Sequence, residues 1–255
     1  MPHQSTAVIL AAQRTPIGNF NGCLANTKAT ALGSTTIRSC LTTINCDPAK
    51  VEHVIMGCVL PAGLGQAPAR QAALGANLSV STPCVTINKM CGSGMQSLIF
   101  ACDAIDAGSS KMILAGGIEN MSQAPYLLTK ARNGYRFGND QIVDHMVLDG
   151  LEDAYHPGRP MGHFAEQCAE QYHFSREQQD AFALESLLRA KAAITNGSFV
   201  DEICPVKVQH KKQEKIITED EGPSSVSAEK IPQLKPVFNK EGTITAANAS
   251  SISDG

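Results

Sequence analysis

Nine cysteines are spread through the 255 residues, and one stands in a setting the others lack. Cys91 follows Asn88-Lys89-Met90 and precedes Gly92-Ser93-Gly94-Met95. Upstream lies the β-branched run Val85-Thr86-Ile87, and downstream a long apolar segment reads as a helix. A thiol at a strand-to-helix turn is placed to act as a nucleophile. The thiolate is the reactive form, and the free N–H groups and positive dipole end of a helix N-terminus favour it. The same N–H groups can stabilise the oxyanion formed when a thioester or ester carbonyl is attacked. Gly92 and Gly94 leave room for close approach to the sulfur. On residue type alone Cys91 reads first as a buried structural thiol, because free cysteine is among the most buried residues, and the Gly-Ser-Gly turn weakens that reading without removing it.

Other chemistry-bearing residues are less pointed. His145, His156, His163 and His173 are near one another in sequence, but their spacing matches no zinc pattern, so no metal site is expected. His163, near a helix start, reads as a half-buried residue or a substrate contact. Lys211, Lys212 and Lys215 read as a solvated charge run or as phosphate contacts. Glu119 reads either as a catalytic acid or as an organiser of its glycine-rich turn. Cys40 and Cys102 sit on apolar helix faces and read as core. A redox pairing of Cys84 with Cys91 is not expected.

The elements that must hold Cys91 alternate. Ala7–Ala12 is a nearly continuous apolar run, the pattern of a strand buried on both faces of a parallel sheet. Residues 28–44 have helical spacing. A strand is expected at His53–Cys58, a short helix near Ala69–Gly75, a strand at Cys84–Asn88, a helix over 92–107 and a strand at Lys111–Ala115 ending in Gly116-Gly117. The apolar residues of the 92–107 helix go nearly all the way round, which predicts burial on nearly all sides. The order βαβαβαβ implies an α/β fold with a parallel-type sheet, helices on both faces, and ligands at the carboxyl ends of strands. From about Asn120 the pattern weakens. Helices are expected at Gly162–Tyr172 and Arg176–Thr195, the latter opened by the capping pair Ser175/Gln178 and stopped at Asn196-Gly197. Ile203–Val208 reads as a strand, 219–236 as a surface loop, and Thr243–Ala246 as a return to the sheet. Ser253 or Asp254 reads as a helix cap. This divides the chain into one domain, 1–119 with 241–255, and an inserted α+β loop domain, 120–240.

Composition narrows the function class. Apolar residues make up 43%, charged residues 18%, and the net charge is −3. Near-neutral charge gives no footprint for nucleic acid. No apolar run reaches the roughly 18 residues of a membrane span. The odd cysteine count without C-x-x-C spacing speaks against a disulfide framework and for a reducing compartment. Met1–Thr6 carries no evident secretory or transit signal, so a cytoplasmic location is expected.

Four segments together resemble the thiolase family. Ile87-Asn88-Lys89-Met90-Cys91-Gly92-Ser93-Gly94-Met95-Gln96 is similar to its nucleophile motif almost residue for residue. Arg14–Gly18 is similar to its N-terminal signature, Ala115–Ser122 to its glycine-rich strand end, and Thr245–Gly255 to the segment closing its first half. Within the family the chain most resembles the short-chain acetyl-CoA C-acetyltransferase type. The resemblance implies a thiolase-like mixed sheet. It also implies that Cys91 takes an acyl group from acyl-CoA, which then condenses with acetyl-CoA to a 3-ketoacyl-CoA such as acetoacetyl-CoA, or the reverse. It places Asn88, Gly92 and Gly94 at the oxyanion turn, with the Cys91 N–H as half of the oxyanion hole. Ser250 would meet the pantetheine arm of CoA, with Met161 and His163 by the acyl pocket. No cofactor is implied beyond CoA as substrate, and the inserted domain would cover CoA and support a homodimer or homotetramer.

Departures from the family pattern are equally specific. The Gly-His-Pro and Cys-x-Gly motifs and the water-holding Asn of the family's second half are absent; His156-Pro157 follows Tyr155 and does not count. The 255 residues alone are therefore expected to lack the base for Cys91, to be inactive by themselves, and to expose the 92–107 helix and be poorly soluble. Pro160, Pro223-Ser224, Ala247 and Ser251 replace residues usual in the family and bear on CoA affinity. Two alternatives are a non-catalytic remnant or CoA-binding partner subunit, and a ketoacyl-synthase-like condensing enzyme.

Overall fold

The computed structural model describes residues 7–210 and 213–255, so Met1–Thr6, Lys211 and Lys212 lie outside the described residues. A two-residue strand β1 (Gly18–Asn19) is followed by α1 (Ala29–Thr43), β2 (His53–Gly57), α2 (Pro68–Gly75), β3 (Cys84–Ile87), α3 (Ser93–Asp106) and β4 (Ile113–Gly117). β2, β3 and β4 form a parallel sheet in the order β3-β2-β4. The chain moves one way from β2 to β3 and back past β2 to β4. Right-handed crossovers therefore put α2 and α3 on opposite faces. The alternation of β2 shows this: Val54 and Met56 join Ile37, Leu41, Ala69, Ala72 and Ala73 in the core beneath α1 and α2. Gly57 faces the other way, onto the start of α3.

Beyond β4 come β5 (Tyr126–Leu127) and β6 (Val143–Asp144), paired antiparallel. A π-helical turn, Val147–Leu151, leads to α4 (Met161–Gln171) and α5 (Arg176–Thr195). The expected capping box at Ser175 and Gln178 opens α5. The strand read near 203–208 is β7 (Val206–His210), and it pairs with β8 (Gln213–Ile217), which sequence reading missed. The expected loop after it contains a short α6 (Glu221–Ser225). Finally β9 (Ser253–Asp254) pairs with β1. A second core of Leu24, Leu32, Val206, Val208 and Ile217 joins the first part of the chain to the β7–β8 hairpin.

Arg14 makes the polar counterpart of that junction. Its guanidinium bonds Asp220 through both terminal nitrogens (2.7 and 3.0 Å) and Glu202 through Nε (2.6 Å), and lies 5.0 Å from the Phe199 ring centroid. Both carboxylates push the Arg14 pKa upward, Asp220 most, against a smaller downward pull from burial. Asp220 is only 11% exposed, so removing its partner strands a desolvated charge. Arg14→Met is expected to cost about 2 kcal/mol, seen as a lower denaturant midpoint at unchanged slope, and Arg14→Lys to recover only part of it because the fork is lost.

Three expectations are corrected. Ala7–Ala12 forms no strand, and Val8, Ile9 and Leu10 are 70%, 78% and 58% exposed. Residues 7–11 run past Ile113–Ala115 and line a cavity with them, but no ladder hydrogen bonds join the two among the described residues. An apolar run specifies hydrocarbon, not a partner edge. The 92–107 helix exposes one side, as expected of these residues alone: α3 buries only Ser93, Ser97 and Ala101, while Met95, Leu98, Ile99 and Phe100 are between 44% and 71% exposed. The sheet covers one side, and no described residue covers the other. Cys102 is exposed rather than core. Thr243–Ala246 is not a strand, because the Glu166 carboxylate takes the amides of Thr243 and Ile244 and Asn248 takes that of Thr245. Asp254 reads as the cap of a helix that is not among these residues, and within them it has another place. It is fully buried in β9 and accepts from the Ser122 amide (3.0 Å) and hydroxyl (2.6 Å).

Candidate active site

Between the end of β3 and the start of α3 the chain must reverse within a few residues, and Met90 carries the strain. Its φ is +51°, a left-handed conformation that costs a non-glycine residue about 1 kcal/mol. Three contacts hold it there. Asn88 Oδ1 accepts the Met90 amide (2.9 Å), and the Ser93 hydroxyl and amide both donate to the Met90 carbonyl (2.6 and 2.9 Å). The Lys89 amide also donates to the Ser93 hydroxyl (2.8 Å). The turn presents Cys91 to solvent at the N-terminus of α3.

The Gly92 amide is spent on the Lys89 carbonyl (3.2 Å), so Gly92 shapes the turn. The amides of Cys91 and Gly94 have no backbone partner among the described residues and are free to face an anion. The tightest glycine contact at this turn is at Gly57. A Cβ on residue 57 would stand 2.5 Å from the Ser93 carbonyl carbon and 2.7 Å from the Gly94 amide nitrogen. At Gly94 and Gly92 a Cβ would meet nothing closer than 3.4 Å.

Cys91 opens onto a cleft of about 290 Å³ at the carboxyl ends of all three sheet strands. Its walls are Gly57–Leu60 after β2, Met90, Cys91, Ser93 and Gly94 around the turn, Gly117–Glu119 after β4, and Gly150-Leu151 of the π-turn. Gly255 also lines it, because its backbone exchanges two 3.0 Å bonds with Glu119. Glu119 has the organising role: its carboxylate accepts from the amides of Val59 (2.7 Å) and Leu60 (3.3 Å). Burial pushes the Glu119 carboxyl up from its ordinary value, and these two bonds pull it down.

Cys58 lies in the same cleft with opposite properties. Burial first, then the charge of Glu119, pushes its thiol up to about 12. At pH 8 that leaves about one thiolate in ten thousand. Brief iodoacetamide treatment at pH 8 is therefore expected to label Cys91 and the exposed Cys102 and Cys168, and to spare Cys58 and buried Cys204, as read by peptide mass mapping.

The other sequence candidates are not brought to this cleft. Met161 starts α4 and is 47% exposed, His163 stands one turn in with its ring edge-on to Phe164, and Ser250 is exposed after the 246–249 turn. None lines the cleft. Asn248, bonded to Asp180 Oδ1 (3.3 Å), ties the Ser250 segment to α5. Lys215 lines a separate pocket with Cys23 and Glu221. Sequence reading missed Gly57, Cys58, Leu60 and the π-turn; only the glycine closing an apolar strand signalled any of them. Among the described residues no three metal-ligating side chains cluster, and no helix is long and apolar enough to cross a membrane.

Known proteins share this sequence along its length. The family described as thiolase, N-terminal domain, matches residues 7–255. An acetyl-CoA acetyltransferase of Escherichia coli is 50% identical over 250 residues, 97% of this chain and 63% of the relative. One of Schizosaccharomyces pombe is 46% identical over 249 residues, with the same coverage. Acetyl-CoA acetyltransferase 2 of Arabidopsis thaliana is 46% identical, covering 100% of this chain and 65% of its own. The chain thus spans less than two thirds of the length of these relatives. With a family match over residues 7–255, which takes in the Cys91 turn, the glycine-lined strand ends and the closing segment, the chain belongs to the thiolase family, through that family's N-terminal domain.

Proposed function

We propose that this chain supplies the acyl-accepting half of an acetyl-CoA C-acetyltransferase. The observation that carries the reading is Cys91 exposed in a cleft at the strand ends, on a strained turn, with the amides of Cys91 and Gly94 unengaged beside it. The Cys91 thiolate attacks the carbonyl carbon of an acyl-CoA, and the oxyanion that forms is stabilised by those two amides. The tetrahedral intermediate collapses with cleavage of the bond to the CoA sulfur, which leaves as a thiolate and takes up a proton. The acyl group stays on Cys91. In the second half-reaction an acetyl-CoA loses an α-proton, and its carbanion attacks the acyl-enzyme to give 3-ketoacyl-CoA, releasing Cys91. That step needs a base. The Glu119 oxygens are already held by the Val59 and Leu60 amides, so the base belongs to the Gly-His-Pro and Cys-x-Gly motifs, which these residues do not contain.

On this reading Ser250, Met161 and His163 contact the CoA arm and acyl group, and 120–240 is an inserted unit over CoA that supports a homodimer or homotetramer. No cofactor takes part besides CoA as substrate, and the setting is cytoplasmic lipid metabolism. The test is incubation with radiolabelled acetyl-CoA followed by peptide mapping. One acetyl group on Cys91, removable by hydroxylamine, is expected. Label confined to any other residue overturns the reading.

A further inference from the structure

His145 has a side chain only 6% exposed, and its two ring nitrogens have unlike surroundings. Nδ1 lies 2.6 Å from Asp149 Oδ2. Nε2 is buried with no hydrogen-bond partner among the described residues. An unpartnered buried nitrogen opposes folding, so the ring's presence calls for a reason. Asp149 belongs to the π-helical turn Val147–Leu151, closed by the Glu152 amide on the Val147 carbonyl (2.8 Å). Such turns are rare and concentrate at functional sites. The two residues after Asp149, Gly150 and Leu151, form one wall of the Cys91 cleft. Gly150 packs so closely on Leu60 that a Cβ there would stand 3.2 Å from Leu60 Cδ2. Leu60 hangs by its amide from the Glu119 carboxylate. The backbone of His145 is itself fixed, its amide donating to the Pro125 carbonyl (3.2 Å). Leu60, Glu119, Gly150 and Leu151 are thus linked through Asp149 and its turn to one anchored ring.

We propose that His145 and Asp149 are positioning residues, which hold the Val147–Leu151 turn against the Leu60–Glu119 wall and so set the length of acyl group that Cys91 accepts. The proposal deepens the acyl-acceptor reading and rests on it. Its test avoids acetyl-CoA, so the two fail separately. The full 255-residue chain is treated with N-methyl and N-hexyl iodoacetamide, and the rates at Cys91 are read by peptide mass. The native chain is expected to favour the methyl probe. His145→Ala and Asp149→Ala are each expected to raise the hexyl-to-methyl ratio by about ten-fold, what one methylene of pocket space is worth, with little change in the methyl rate. The two changes should not add in the double variant, because they break one contact. His145→Asn, whose amide can take the place of Nδ1–H, is expected to restore the native ratio. Proportional changes of both rates, or a His145→Asn ratio equal to that of His145→Ala, overturn the proposal. Where circular dichroism shows an alanine variant unfolded, Asp149→Leu, which keeps the bulk at a half-exposed position but has no acceptor for Nδ1–H, decides: a raised ratio supports the proposal and an unchanged one overturns it.

Discussion

Cys91→Ser is expected to abolish acetyl labelling from acetyl-CoA, with a loss on the order of a thousand-fold, while far-UV circular dichroism stays unchanged. The oxygen would sit on the same turn, because Met90, Asn88 and Ser93 set the backbone there without help from the sulfur. What changes is the nucleophile. A thiol has an appreciable thiolate fraction near neutral pH, whereas a serine hydroxyl needs a base, a contribution typically of about 10² to 10⁴ in rate. Among the described residues no histidine lines the cleft. Labelling that survives the substitution at a comparable rate would show that another group takes the acyl chain.

Gly57→Ala is expected to have the largest effect of any change that touches no reactive atom. The new methyl would collide with the Ser93 carbonyl carbon, the Ser93 Cβ and the Gly94 amide nitrogen at 2.5 to 2.7 Å. Two of these are backbone atoms at the foot of α3, so no side chain can swing aside. Either α3 lifts or β2 bends, at about 3 kcal/mol, and Cys91 with its flanking amides moves by a fraction of an ångström, enough to slow its alkylation about ten-fold. Gly117→Ala is the control. Its Cβ would meet the Gly94 Cα at 3.4 Å, ordinary contact, so a small loss of stability and near-native alkylation are expected. Equal effects of the two substitutions would place the crowding somewhere other than under the nucleophile.

The parts of the molecule legible in the sequence are those whose causes are local. α5 is announced by Ser175 and Gln178 and stopped at Asn196-Gly197, and those residues form its ends. β2, β3 and β4 read correctly because β-branched and apolar residues cluster between turn signals. Cys91 was legible because a strand, a glycine-rich turn and a helix follow one another without a gap. The failures concern partners. Ala7–Ala12 has the composition of a buried strand and lacks a ladder; Gln213–Ile217 has a polar strand composition and gains one from Val206–His210. The closing segment was read as sheet, yet the Glu166 carboxylate, far away in sequence, takes the amides that a ladder would use. Gly57 is silent for the same reason, since only the arrival of Ser93 above it makes a missing methyl matter.

The stripe that α3 turns toward the sheet consists of Ser93, Ser97 and Ala101, and the Ser97 hydroxyl donates to the carbonyls of Gly94 (2.6 Å) and Gly116 (2.8 Å). The mount beneath Cys91 therefore relies on directional bonds, where the α1–α2 side of the sheet relies on hydrocarbon. Cooling weakens hydrocarbon association more than such bonds. The two faces of one small sheet thus answer differently to cold: chill slackens the α1–α2 side before the mount of Cys91.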